Sequence, residues 1–259
     1  MKSDPYYVTT AALSELGGQR VWSLMVTLFG DLAQAPGDSI DGPVLSAIMA
    51  AMDIRPEAVR VALHRLRKDG WITSNKTGRT SRHSLTPSGR AQTVAASKRI
   101  YADPSAQDEN WQVVLLEDAT SFSRAEMLQH GFAPLMPRTY IGSAHAQTLK
   151  GMVTLPGGEV TDWLRAQLEP TQQSQDYAEL LQILAQAQSA LPDQTNFSAC
   201  QIAVLRCLIV HNWRRIILKH PDLPRALFPS DWAGHSCHAS VDALLNRYPR
   251  PALTDILEP

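Results

Sequence analysis

Apolar residues recur at three- and four-residue steps from Val21 through Leu24, Met25 and Leu28 to Leu32, and this stripe predicts a first helix over Gln19–Ala33. Gly37, Asp38, Asp41, Gly42 and Pro43 break the pattern, and Pro43 fits the first turn of a short helix over Val44–Met52. Asp53 and Ile54 turn the chain into a third helix, opened by Pro56 and closed by Gly70. An extended run, Trp71–Lys76, the turn Thr77-Gly78-Arg79 and a returning strand, Arg82–Leu85, predict a hairpin. Thr86 followed by Pro87 is an N-cap with a proline at the first helical position, and it opens a fourth helix running to Tyr101.

Beyond the linker-like Ala102-Asp103-Pro104-Ser105, the continuous apolar run Trp111–Leu116 predicts a buried strand. Arg124–His130 reads as helix, Arg138–Gly142 as a second strand, and Gly151–Leu155 as a third before the turn Pro156-Gly157-Gly158. Strand, helix and strand at this spacing predict a small α+β module. The remainder is helical over Val160–Leu168, Gln175–Ala190 and Ser198–Lys219, the last opened by the capping pair Ser198 and Gln201. The N-terminal order of helix, helix, turn, helix, hairpin and helix is that of a winged helix-turn-helix. The expected fold class is therefore α+β, mostly helical, with a DNA-binding domain over 1–101, a central module over 106–170 and a helical domain over 171–259.

Charge sharpens this picture. Residues 55–99 hold eleven Lys and Arg against the two acids Glu57 and Asp69, while the whole chain has a net charge of −1. Such a basic block inside an acidic chain is an electrostatic footprint for polyphosphate. On a helical wheel Val59, Ala62, Leu63 and Leu66 share a core-facing arc, and Arg60, His64 and Lys68 lie opposite with Glu57, flanked by Arg67. That division suits a helix in the major groove, with Arg55, Glu57, Arg60 and His64 as base-reading candidates and Arg67 and Lys68 nearer phosphate. His64 reads equally as a solvated imidazole, Arg65 as a stem packed at the core edge, and Arg55 as a poor capping residue. Lys76, Arg79 and Arg82 bring three cations to the hairpin and suit the minor groove or the backbone beside it.

Ser23 to Asp31, Val59-Arg60, Arg65 to Trp71, Gly78 to Ser81 and Leu85 to Arg90 closely resemble the PaaX-like family of phenylacetate-catabolism repressors. So do Arg99-Ile100-Tyr101, Gly131 to Leu135, the run from His211 to Pro221, Leu223-Pro224, Leu227-Phe228-Pro229 and Trp232-Ala233-Gly234-His235. The resemblance implies a winged-helix domain, a ferredoxin-like central domain and a helical C-terminal domain. It also implies a homodimer on a palindromic operator in double-stranded DNA, repressing aromatic-acid catabolic genes until phenylacetyl-CoA or a related acyl-CoA releases it. His211, Arg214, Arg215 and Lys219 are the effector-binding candidates, since a CoA thioester carries phosphates; the helix dipole alone also favours cations at that end. Two departures stand out. The stretch from Gly142 to Gly151 is too short for a full second ferredoxin-like helix, and the chain stops soon after Leu257, where family members tend to carry a further tail.

Other functional classes fit these residues less well. His235, Cys237 and His238 supply three donors without a closing partner, and Trp232-Ala-Gly-His reads as a turn, so no metal or cofactor is expected. Ser121, Ser123 and His130 form no recognisable nucleophile motif, and Glu117 and Asp118, the only candidate acids for a ferredoxin-like nuclease, are explained equally well by a strand end. The chain is expected not to be an enzyme. A winged-helix protein-interaction module fits the unmatched basic block poorly. With three unframed cysteines, no apolar leader and no membrane-length span, a cytoplasmic location is expected, with no membrane partner.

Overall fold

The computed structural model describes residues 4–17, 20–106, 109–118, 121–168 and 171–258, so Gln19, the expected start of the first long helix, lies outside them. The N-terminal elements are α1 (Pro5–Glu15), α2 (Val21–Leu32), β1 (Ile40–Asp41), α3 (Gly42–Ala51), α4 (Pro56–Lys68), β2 (Ile72–Thr77), β3 (Thr80–Leu85) and α5 (Pro87–Ile100). Then come β4 (Trp111–Leu116), α6 (Arg124–Gln129), β5 (Phe132–Met136), β6 (Thr139–Ser143) and β7 (Met152–Pro156). Helices α7 (Asp162–Leu168), α8 (Thr171–Ala190), α9 (Ala199–Ile217) and α10 (Ala233–Arg247) follow. The protein is α+β, predominantly helical, with two small antiparallel sheets. No helix among the described residues is long and apolar enough to cross a membrane.

The chain divides into two compact units: one holds the chain up to Tyr101 with 182–215 and 240–259, the other 102–181 and 216–239. In the first, α1 was not anticipated. Its signal is local: Asp4 Oδ1 accepts from Tyr6 N at 2.9 Å, and Pro5 occupies the first turn. Helix α2 buries Leu24, Met25, Leu28 and Phe29 completely. Helix α4 lays Val59, Ala62 and Leu66 on α2 and α3, with Leu63 only half-buried. Helix α9 is buried almost all round from Ala203 to Trp213, the behaviour of a central helix. Its capping box forms as expected, with Ser198 N donating to Gln201 Oε1 at 2.9 Å and Gln201 N to Ser198 Oγ at 3.2 Å.

In the second unit the strand order is β5-β6-β4-β7, antiparallel throughout. One sheet face closes over Val114, Leu116, Met127 and Phe132. The apolar run of β4 is not buried on both faces as expected: Gln112, Val114 and Leu116 point inward, whereas Val113 is half-buried and Leu115 exposed. No helix occupies the stretch between β6 and β7, in line with its length. The Trp232-Ala-Gly-His stretch is not a free turn, because α10 starts at Ala233 and runs through it.

Candidate nucleic-acid interface

Pro56 pre-sets the first turn of α4, and Gly70, at φ +72°, releases the chain after it into β2. The β2–β3 turn is two residues long. Gly78, at φ +62°, takes the first place between the paired Thr77 and Thr80, a position that demands a positive φ. Inside the sheet, buried His83 meets Ser74 Oγ at 2.7 Å, and burial with the nearby Arg67 charge lowers its pKa, outweighing Asp41. Strand β1 completes a three-stranded sheet by pairing Ile40 with His83 and Asp41 with Arg82. Gly89 seats α5 against this assembly: a Cβ there would lie 2.2 Å from the Trp71 carbonyl oxygen.

All nine candidate DNA-contacting residues are exposed. Glu57, Arg60, His64 and Lys68 share the outer face of α4, with Arg67 beside them. Glu57 and Arg60 form a loose surface pair at 3.5 Å, which constrains neither. Arg55 occupies the N-cap position without a capping bond from its side chain. Arg65 stands apart from the outer set: its guanidinium lies 4.8 Å above the Trp22 ring and its Nε is 3.4 Å from Asp69. Lys76 and Arg79 project at the hairpin tip, whereas Arg82 is tied to its cross-strand neighbour Asp41 at 3.0 Å. The wheel also carries a residue that charge-based reading passed over. Val61 is 69% exposed and sits between Glu57 and His64 on the outer face, and its departure from the apolar stripe was the available signal.

The C-terminal candidates have more varied surroundings. His211 is buried against Thr27 Oγ1 at 3.4 Å, and burial, with the Arg214 and Arg215 charges, pulls its pKa down to about 4. Arg214 donates from Nη1 to Ser23 O at 3.2 Å and to Thr27 Oγ1 at 3.0 Å, so it converges with His211 on α2. Arg215 lies against Gly17. Lys219 belongs to the other compact unit, where it is exposed and pairs with Asp176 at 2.9 Å. Of the donors considered for metal, His238 Nε2 meets Ala102 O at 2.8 Å, His235 stands edge-on to Trp232 at 5.0 Å, and Cys237 is fully buried. Ser123 and Glu126 cap α6 reciprocally, which accounts for that serine without chemistry.

Residues 20–89 match the PaaX-like protein family, and residues 169–255 match the PaaX-like protein C-terminal domain. The transcriptional repressor PaaX of Escherichia coli strain K12 is 28% identical over an alignment spanning 91% of this chain and 83% of that protein. Among solved structures, uncharacterized protein Rv0674 from Mycobacterium tuberculosis shares the fold with a TM-score of 0.53 at 17% identity, covering 86% of this chain and 94% of that one. The two family matches together take in more than half of the sequence, and the chain belongs to the PaaX-like protein family.

Proposed function

We propose that the protein is a transcriptional repressor that reads double-stranded DNA with α4 in the major groove and the β2–β3 hairpin beside it. The observation that carries this reading is the outer face of α4, where Arg60, His64, Arg67 and Lys68 are all exposed on a helix whose opposite stripe is core. The elements α2 to α5 with their three-stranded sheet fit a winged helix-turn-helix, and the order β5-β6-β4-β7 fits a ferredoxin-like sheet that lacks its second helix. Similarity to a protein named a transcriptional repressor supports regulation over catalysis.

The repressor acts as a homodimer on a palindromic operator, since one such module makes few contacts. The sheet of the second unit supports pairing. Val113 faces Leu155 and Leu115 faces Val153 across β4 and β7, and Val153 and Leu155 remain 59% and 48% exposed at a sheet edge. Control of aromatic-acid catabolic genes, and release by phenylacetyl-CoA or a related acyl-CoA, are the parts of this reading carried by family resemblance. Selection of bound duplexes from a random pool tests the proposal. Enrichment of a two-fold symmetric sequence is expected, and a pool that stays unenriched would overturn it.

A further inference from the structure

Helix α9 sends two arginines into the first unit, and their surroundings differ. Arg206 is buried with a carboxylate, its Nη2 2.8 Å and its Nε 2.9 Å from the two Asp31 oxygens. Arg214, two helical turns on, makes no ion pair among the described residues. Among the described residues only its Nη1 is engaged, by Ser23 O and Thr27 Oγ1. Arg214 is half-buried and its Nε and Nη2 are not sealed orphans, so this edge of the guanidinium is open to a partner, and partial burial lowers its pKa.

Beside Arg214 lies a cavity of about 150 Å³, lined by α2, α5, α9 and Trp71, and Arg214 is the one charged residue in its lining. Val26, Ile100 and Val210 make much of the wall apolar, and the lining hydroxyls of Thr93 and Ser97 already bond within the protein. A cavity of roughly this volume is large enough for a benzene ring. From the unpaired Arg214 and the small apolar cavity in front of it, we propose that this unit contains a ligand site for a compact organic anion, one carboxylate on a body no larger than a benzene ring. The carboxylate pairs with the free edge of the Arg214 guanidinium, and the body fills the space under Val26 and Ile100. A coenzyme A moiety is far too large for the cavity, so this ligand is distinct from a thioester.

The site is placed to affect DNA binding. Trp71 follows Gly70 at the end of α4, opens the hairpin and carries the carbonyl against which Gly89 packs. An occupant therefore touches the joint between the α4 helix and the hairpin as well as α2, on which α4 rests. This regulatory step rests on the proposed function, whereas ligand binding does not.

Calorimetry on the full chain with benzoate as probe tests both. One equivalent of benzoate is expected to bind with a Kd of about 1 mM or tighter, with neutral benzamide at least tenfold weaker. Arg214→Met should lose benzoate binding at least tenfold. Because that variant also loses contacts to α2, Ala96→Leu serves as the second test, narrowing the cavity while the guanidinium stays. If benzoate fails to bind the wild type, binds no better than benzamide, or binds folded Ala96→Leu undiminished, the site is overturned. Benzoate binding by a protein that ignores DNA would leave the site standing and overturn the repressor reading. Selective DNA binding without benzoate binding would do the reverse.

Discussion

Arg206 and Asp31 are 175 residues apart in sequence and form a two-pronged ion pair in the interior of the first unit, at 2.8 and 2.9 Å. The same guanidinium donates from Nη1 to Leu245 O at 2.9 Å and to Tyr248 O, while Asp31 also accepts from Tyr101 at 2.8 Å and from Arg250 at 3.0 Å. Burial alone would raise the Asp31 pKa, but the bond and charge of Arg206, helped by Arg250 and Tyr101, hold it below the ordinary carboxylate value. The pair thus joins α2 to α9 through the carboxylate and reaches the end of α10 through the guanidinium.

Asp31→Asn leaves a buried guanidinium with a neutral partner, so it should destabilise the protein by about 3–5 kcal/mol. Asp31→Leu with Arg206→Met removes both charges and should cost clearly less than either single change. Urea denaturation of Asp31→Asn, Arg206→Met and the double variant checks this, and equal costs for the single and double changes would show that charge pairing is not what matters there.

His211 sets a pH dependence of the opposite chemical type. Its pKa of about 4 in the folded protein lies below the ordinary histidine value near 6.5, so the unfolded chain binds the extra proton in the interval between them. The stability from keeping it neutral is complete above the upper value and is lost as pH falls towards the lower one. Between pH 7 and 5 the wild type should lose about 2 kcal/mol more than His211→Asn. Denaturant midpoints across that range measure the difference, and parallel curves would place His211 in a more solvated setting.

Gly89→Ala tests the seat of α5. The added carbon would meet the backbone oxygen of Trp71 at 2.2 Å, and a main-chain carbonyl cannot swing aside as a side chain would. A loss of about 1–3 kcal/mol is expected in thermal or chemical melting. A neutral substitution would mean that helix and hairpin meet more loosely.

What was legible in the sequence was local. The α4 stripe, the Pro56 and Gly70 boundaries and the Gly78 turn follow from neighbours a few residues apart, and the structure places them within a residue or two of expectation. Elements defined by distant partners were not legible. Two-residue β1 has no periodicity of its own and exists through its pairing with β3. β5 (Phe132–Met136) was not anticipated; it is an edge strand with an irregularity at Pro134, where a missing N–H does no harm. Arg206 interrupts the apolar run Ala199–Val210, and nothing near it in the sequence announces Asp31 as its partner. In the candidate site the outer face of α4 was readable from the wheel. The tie of Arg82 to Asp41 and the engagement of Arg214 by Ser23 and Thr27 depend on tertiary neighbours.

Helix and hairpin are assigned different tasks, and substitutions should separate them. Arg60→Ala should weaken binding to a selected duplex by about 1–3 kcal/mol and flatten the preference at one base pair per half-site. Arg79→Ala should instead weaken all duplexes alike. Identical sequence-preference profiles for the two variants would contradict that division.

The central claim, that this protein grips DNA through its basic face, is tested most directly by the salt dependence of its affinity for a selected duplex. The logarithm of the binding constant should fall linearly and steeply with the logarithm of salt concentration, by about 0.9 for each phosphate contacted, and Arg79→Ala should reduce the slope by about one per half-site. A flat salt dependence, or a slope that Arg79→Ala leaves unchanged, would contradict the account.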